Sequence, residues 1–298
     1  MVDHLDARRS QSSLSNRVKS AFIGFYPPLA LALTVFAGWQ FARSMELAWL
    51  GAIATGAPFL LFLGFVLLTR SIARTSAGLP WLGALAFAGL GFAVFCVFLR
   101  SGPPESAVLA AGGSLGVVLY SHWYSRLGRA PSAELVVGRV LPDLGLRRAD
   151  GRVLKTSELR GKPALLMFYR GNWCPLCMAQ VKEIAAQYRA LAATGVRVLL
   201  ISPQPHENTA ALARRFEVPF DFVTDERNAA AKLLRIEMKH GLPLGMGLLG
   251  YESDTVFPTV IILDAEGVIR WVDQTDNYRI RPEPSTFLPL LEKLGTRA

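Results

Sequence analysis

Long apolar runs separated by short polar ones fill the first 125 positions, at approximately 22–42, 46–69, 79–99 and 106–124. Each has about the 20 residues an α-helix needs to cross a ~30 Å hydrocarbon core. Glu46 stands at the end of its run, where a carboxylate reaches the interface. Pro27, Pro28 and Pro58 fall inside the runs, and membrane helices tolerate prolines. The pattern changes after a polar connector at 125–134. Runs of strand length at 164–168, 196–202, 220–224, 257–264 and 268–272 then alternate with helix-period stretches at 175–193, 207–216, 228–234 and 285–294. The last two runs flank the tight turn Ala265-Glu266-Gly267 and pair as an antiparallel hairpin. The pattern therefore predicts an α-helical membrane bundle of four spans in an N-terminal region of residues 1–130. An α/β domain with a mixed, three-layer central sheet follows over 131–298.

Composition supports the division. The 298 residues are 51% hydrophobic and only 18% charged, and mean hydropathy is +0.31. That is too apolar for a purely soluble chain of this length. A cleaved signal peptide is the competing reading of the first run; some 20 polar residues before it and three further runs after it favour a retained anchor. Of the net charge of +9, the part before Pro131 comes from ten Lys and Arg against four Asp and Glu. These flank the apolar runs. Arg8, Arg9, Arg17, Lys19, Arg70, Arg74, Arg126 and Arg129 lie on one side, and Arg43 and Arg100 on the other. The positive-inside rule then puts both termini and the α/β domain in the cytoplasm, with the helices in the plasma (inner) membrane and in contact with membrane lipid. No dense Lys/Arg run is interleaved with aromatics, so no nucleic-acid partner is expected.

Candidate chemistry concentrates in Phe168-Tyr169-Arg170-Gly171-Asn172-Trp173-Cys174-Pro175-Leu176-Cys177. Two cysteines two residues apart sit where a strand becomes a helix, with Pro175 at the first helical position. The partial positive charge of a helix N-terminus stabilises a thiolate. Zinc needs about four ligands, and the chain offers three cysteines and four scattered histidines. Covalent haem attachment needs His after the second cysteine, where Met178 stands. Redox chemistry at Cys174 and Cys177 is the better reading, with no cofactor and no metal. Cys174 is expected to attack and Cys177 to resolve the mixed disulfide. Arg170 would add positive charge, and Trp173 would wall the site. Cys96, alone in the third run, reads as a small buried hydrophobe rather than part of a relay.

At these residues the chain resembles the peroxiredoxin-like AhpC/TSA family within the thioredoxin-fold superfamily, over about 134–298. The supporting segments are Val137-Gly138 with Leu141-Pro142-Asp143, Gly161-Lys162-Pro163, the 168–177 run, Ile201-Ser202-Pro203-Gln204, and Phe257-Pro258-Thr259 with Asp264-Ala265-Glu266-Gly267. The resemblance implies a thioredoxin-like domain, a peroxide or disulfide substrate and a thioredoxin-like electron donor. It also implies a cis Pro258 packed beside the cysteines, and an Arg-rich tail like that at 276–284. Typical members place Thr or Ser three residues before the peroxide-reacting cysteine; here that position is Gly171.

The expected function is a membrane-anchored thiol–disulfide oxidoreductase of peroxiredoxin-like type. The alternative is a non-enzymatic redox sensor whose dithiol state is read by the helical bundle or a partner. Other residues carry less. Gly245 to Gly250 matches a dinucleotide-binding pattern without the strand it requires, so an apolar loop at 240–253 is the expectation, able to lid the cysteines or touch the membrane. His206 reads as a helix-start residue. Asp273, Asp276, Arg279 and Arg281 read as a solvated surface bordering the site.

Overall fold

The computed structural model describes residues 2–100, 102–252 and 254–295, and side chains from residue 13 onward. The side chains of Arg8 and Arg9, which enter the orientation argument, and Ser253 of the apolar loop lie outside what is described. Packing divides the chain into two units. One is Val18–Arg70 with Thr75–Arg126; the other is Met1–Arg17, Ser71–Arg74 and Leu127–Ala298. The helical unit therefore ends at Arg126, and two short N-terminal segments belong with the α/β unit.

The N-terminal region is helical: α1 Val2–Ser44, α2 Ala48–Thr69, α3 Pro80–Arg100 and α4 Pro104–Val118. Among the described residues, three helices are long and apolar enough to cross a membrane: Ser13–Ser44 within α1, α2 and α3. The polar segment before the first expected span is a continuation of the same helix. The fourth expected span is divided. Its α-helical part is 15 residues, short of a crossing, and continues as a π-helical turn over Leu119–Tyr124. Serine hydroxyls explain the widening. Ser121 Oγ donates to the Val117 carbonyl at 2.7 Å, while the Ser125 amide and hydroxyl both donate five residues back to Tyr120 at 3.2 and 2.6 Å.

Small residues set the spacing in this unit. A Cβ on Gly51 would lie 2.5 Å from the Gly89 carbonyl, and one on Gly89 would lie 2.7 Å from the Gly51 carbonyl. Only glycine lets α2 and α3 approach so closely. Phe59 and Tyr120 fill the interior, with ring centroids 5.1 Å apart and edge-on.

The α/β unit is built on a seven-stranded sheet. Its strands are β1 Gly145–Arg148, β2 Val153–Lys155, β3 Ala164–Phe168, β4 Arg197–Ser202, β5 Asp221–Thr224, β8 Thr259–Leu263 and β9 Ile269–Asp273, in the order β2-β1-β5-β4-β3-β8-β9. Strands β3, β4 and β5 run parallel, and every other pairing is antiparallel, so the sheet is mixed as expected. Helices α5 Pro175–Ala186, α6 Tyr188–Ala193, α7 His206–Phe216, α8 Ala229–Leu233 and α9 Pro284–Gly295 accompany it, with a two-stranded ribbon of β6 Glu237–Met238 and β7 Thr255–Val256. All five residues of β3 and of β8 are buried, so side chains of both faces pack into apolar interior. Leu166, Phe168, Leu199, Ile201, Val223 and Ile261 form the centre of one core.

Candidate functional site

Strand β3 ends against β4 on one side and β8 on the other, so the chain leaving it is held on both sides before α5 begins. The Tyr169 amide extends the ladder to the Ile201 carbonyl at 2.9 Å. Cys174 is the N-cap of α5: its backbone is extended, and its Sγ accepts from the Cys177 amide at 3.4 Å. Pro175 occupies the first helical position, where no amide hydrogen is needed. Cys177 lies one turn on. Both thiols are free and buried, Cys174 at 2% exposure and Cys177 at 0%.

Gly171 owes its identity to Trp173. Its φ is +148°, and a Cβ there would lie 2.6 Å from the indole Nε1. A threonine or serine at this position would collide with the ring, which gives a steric reason for glycine here.

Two guanidinium groups set the electrostatics. Arg281 Nη2 lies 3.8 Å from Cys177 Sγ, with its side chain buried. Arg170, also buried, stacks over the Trp173 ring with its guanidinium carbon 4.7 Å from the centroid and donates to the Gly241 carbonyl. Burial by itself raises the Cys177 thiol. The hydrogen bond from Cys174, the Arg281 charge, and the Arg170 backbone and charge outweigh burial and bring it down to about 6. Burial pushes Cys174 up, and so do the hydrogen bond and negative charge it shares with Cys177. The resting pair therefore holds one proton between two sulfurs, with the negative charge on Cys177. The sequence expectation had placed the thiolate on Cys174. Burial likewise raises the Tyr169 hydroxyl, with the Cys177 charge adding to it.

The surrounding loops are tied to the motif. Gln204 accepts from the Asn172 amide at 2.7 Å and donates to Tyr169 and Thr209. Thr255 Oγ1 donates to the Arg170 carbonyl at 2.9 Å. Tyr251 donates its hydroxyl to Asn172 Oδ1 and accepts from Asn208 at 3.1 Å. Met246–Leu249 forms a 3-10 turn between these tethers, with Leu248 93% exposed. The apolar loop is thus fastened beside the cysteine motif at Gly241 and Tyr251.

The structure brings Arg170, Trp173, Cys174, Pro175 and Cys177 into one site. Pro258 is buried at the entrance to β8, next to the pairing of Phe168 with Thr259, and its carbonyl accepts from Arg129 at 2.9 Å. Among the described residues no peptide bond is cis, so Phe257–Pro258 is trans, against expectation. The Phe257 amide bonds the Ile236 carbonyl at 2.8 Å, and Arg129 fixes the other side, which holds this segment in the trans arrangement. Arg279 and Arg281 are a second correction: both are buried rather than a solvated surface. The signal available in the sequence was the Arg-rich tail itself, closed by Pro282 and Pro284. His206 begins α7 as expected, with Nδ1 3.2 Å from Thr224 Oγ1.

Residues 137–272 match the model of the AhpC/TSA family. Chloroplastic peroxiredoxin Q from Triticum aestivum is 26% identical over 162 residues, spanning 52% of this chain and 67% of that protein. Thiol-disulfide oxidoreductase ResA from Geobacillus thermodenitrificans is 27% identical over 116 residues, spanning 39% of this chain and 63% of that protein. Among solved structures, peroxidoxin BcpB from Mycobacterium tuberculosis superposes with a TM-score of 0.45 at 19% identity, covering 53% of this chain and 97% of that one. The family match includes both motif cysteines and stops before the tail that carries Arg281.

Proposed function

Because residues 137–272 form an AhpC/TSA-family domain, we propose that the chain is a membrane-anchored thiol–disulfide oxidoreductase of peroxiredoxin-like type, working through Cys174 and Cys177. The observation that carries this reading is the buried dithiol at the N-terminus of α5 with Arg281 3.8 Å from one sulfur. A charged sulfur pair kept below the usual thiol range is a reagent, whereas a structural thiol gains nothing from a buried guanidinium.

Cys174, at the N-cap, is the attacking sulfur. As substrate enters, Cys177 takes its proton, and the thiolate on Cys174 is stabilised by the Cys177 amide. With a peroxide, the thiolate attacks one oxygen and the O–O bond breaks. The departing alkoxide or hydroxide takes a proton, and Cys174 is left as a sulfenic acid. The Cys177 thiol then attacks that sulfur, an S–S bond forms and water leaves. With a disulfide substrate, Cys174 forms the mixed disulfide and Cys177 displaces it. A thioredoxin-like dithiol supplies the two electrons that restore the pair. Gly171 removes the hydroxyl that typical relatives place near a bound peroxide. Arg281 and Arg170 are then the charged groups left beside the sulfurs to orient the oxygen.

The helices anchor this domain. Leu61, Leu68, Phe98, Leu99 and Val108 are exposed on their outer faces, more apolar surface than a helix keeps in water. In this reading α1 to α4 cross the plasma (inner) membrane against lipid, α4 together with its π-helical continuation. The excess of Lys and Arg on one side of the apolar runs supports a cytoplasmic α/β unit.

Cys174→Ser should abolish turnover with hydrogen peroxide and with a disulfide substrate alike, and retained turnover on both would overturn the assignment. Single-turnover oxidation followed by mass spectrometry separates the two substrates. A fast sulfenate on Cys174 identifies a peroxidase, and a slow one with rapid mixed-disulfide formation identifies a disulfide reductase.

A further inference from the structure

Two short segments outside residues 137–272 bond the backbone or neighbours of the chain around the two guanidinium groups. Arg74 lies in the connector that joins α2 to α3. Its Nε donates to the carbonyl of Arg281 at 3.2 Å and its Nη2 to that of Pro282 at 3.3 Å. The same guanidinium grips the Glu183 carboxylate on α5 through both Nη atoms, one at 2.9 Å, with Glu283 3.9 Å away. Arg74 thus fastens the backbone of Arg281 to the helix whose first turn carries Cys177. The other guanidinium has a parallel. Arg170 donates to the Gly241 carbonyl, and the two residues before Gly241 are engaged by the polar part of α1. Asn16 Nδ2 donates to the Lys239 carbonyl at 2.8 Å, and Arg17 Nη2 is 3.0 Å from His240 Nε2.

We propose that Arg74 is a positioning residue for the dithiol: by stapling Arg281 and Pro282 to Glu183 it sets the distance of the Arg281 guanidinium from Cys177. The proposal rests on Cys174 and Cys177 being the redox pair, although its test needs no turnover. The groups facing Cys177 are Cys174, Arg281, Arg170 and Tyr169. Of these Arg281 sits on a tail segment outside regular structure, whose backbone contacts to Arg74 fix it. Loss of the staple lets the tail move away, and the sulfur pair then holds its first proton more tightly. A bidentate, planar fork does this work, so lysine is a poor substitute. The connector counted from sequence as an orientation signal thereby acquires a second role.

The test is the pH titration of the thiolate in the purified full chain in detergent, read by ultraviolet absorbance against a Cys174→Ser/Cys177→Ser reference. Arg74→Ala should raise the midpoint by about one pH unit, the size expected on withdrawing one close opposite charge. Arg74→Lys should recover less than half of that shift. Arg147→Ala, which removes an exposed ion pair with Glu226, should leave the midpoint where it was. A wild-type midpoint in Arg74→Ala overturns the proposal. So does full recovery by lysine, which would reduce the effect to charge alone, and so does an equal shift in Arg147→Ala, which would make it general loosening. Should Arg74→Ala fail to fold, the Arg74→Lys midpoint decides: at least half a unit up supports positioning, and no change overturns it.

Discussion

In the α/β unit the most apolar segments are the most enclosed: every residue of β3 and β8 is buried. In the helical unit the relation is reversed, since only 11% of the apolar window of α1 is buried, 33% of that of α2 and 28% of that of α3. One chain therefore holds two answers to what surrounds a leucine. Burial against other side chains suffices for the sheet, whereas most of the apolar surface of the helices has no covering within the chain, as the proposed membrane anchoring requires. The interiors differ in the same sense. The sheet core is made of Leu, Ile, Val and Phe filling space between layers, while the helices meet through Gly51, Gly89 and Gly113, where backbone approaches backbone or the Thr55 side chain. Burial of large side chains drives the first arrangement, and close van der Waals contact drives the second.

The sharpest way to break this comparison is a charge on each outer surface. Leu61, near the middle of α2, is 73% exposed, and Val153 on β2 is 65% exposed. If lipid covers α2, Leu61→Arg costs about 3 kcal/mol of insertion, whereas Val153→Arg changes the stability of the α/β unit by about 0.5 kcal/mol or less. A membrane-insertion assay for the first and thermal unfolding for the second check the pair. Equal tolerance of the two would mean that water, or another protein, covers α2.

Titration separates the units next. The first proton leaves the sulfur pair at about 6. The reactive form is deprotonated, so the rate rises with pH through that value and is nearly full at pH 7. Below the midpoint it falls about tenfold per unit, so at pH 5 about a tenth remains. Initial rates of turnover across this range should follow that curve while the helicity of the N-terminal unit stays constant. A flat profile would mean that the thiol is not lowered in the working enzyme.

What was legible in the sequence was local. The runs that became β3 and β8, the cysteine motif at the start of α5 and the hairpin into β9 all declare themselves within a dozen residues, because a strand period, a proline at the first helical position and a turn are short-range signals. Gly171 was legible as a departure and illegible as a reason, since the cause is the fold of the indole of Trp173 back over it. Arg281 and Arg74 were read as surface or orientation charges because their partners lie 104 and 109 positions away, at Cys177 and Glu183. Charge residues announce their cost of burial but not the group that offsets it. The trans bond before Pro258 is accompanied by hydrogen bonds to Arg129 and Ile236, more than 20 positions away, and no local pattern specifies these.

The smallest effect expected separates two kinds of close approach. Gly89→Ala puts a methyl 2.7 Å from the Gly51 carbonyl and 3.0 Å from Ala54 Cβ, so α2 and α3 must move apart along their contact. Gly171→Ala meets a side chain instead, the Trp173 ring, on a backbone at φ +148° that alanine rarely adopts. Each substitution costs about 1–3 kcal/mol, the first from overpacking and the second from backbone strain together with the clash. The two part company when the neighbour is trimmed. Trp173→Ala removes the indole that a methyl on Gly171 would strike, so in a double-mutant cycle it should recover the steric share of the Gly171→Ala loss and leave the backbone share. No side-chain trimming rescues Gly89→Ala, because its obstacle is a carbonyl of the main chain. Thermal unfolding of the four variants in the Gly171 cycle, with Gly89→Ala beside Gly89→Ala/Ala54→Gly, measures both. Full recovery of the Gly171→Ala loss would assign that glycine to Trp173 alone. No recovery would assign it to the turn, and would leave the packing of the indole free to change without touching the backbone that presents Cys174.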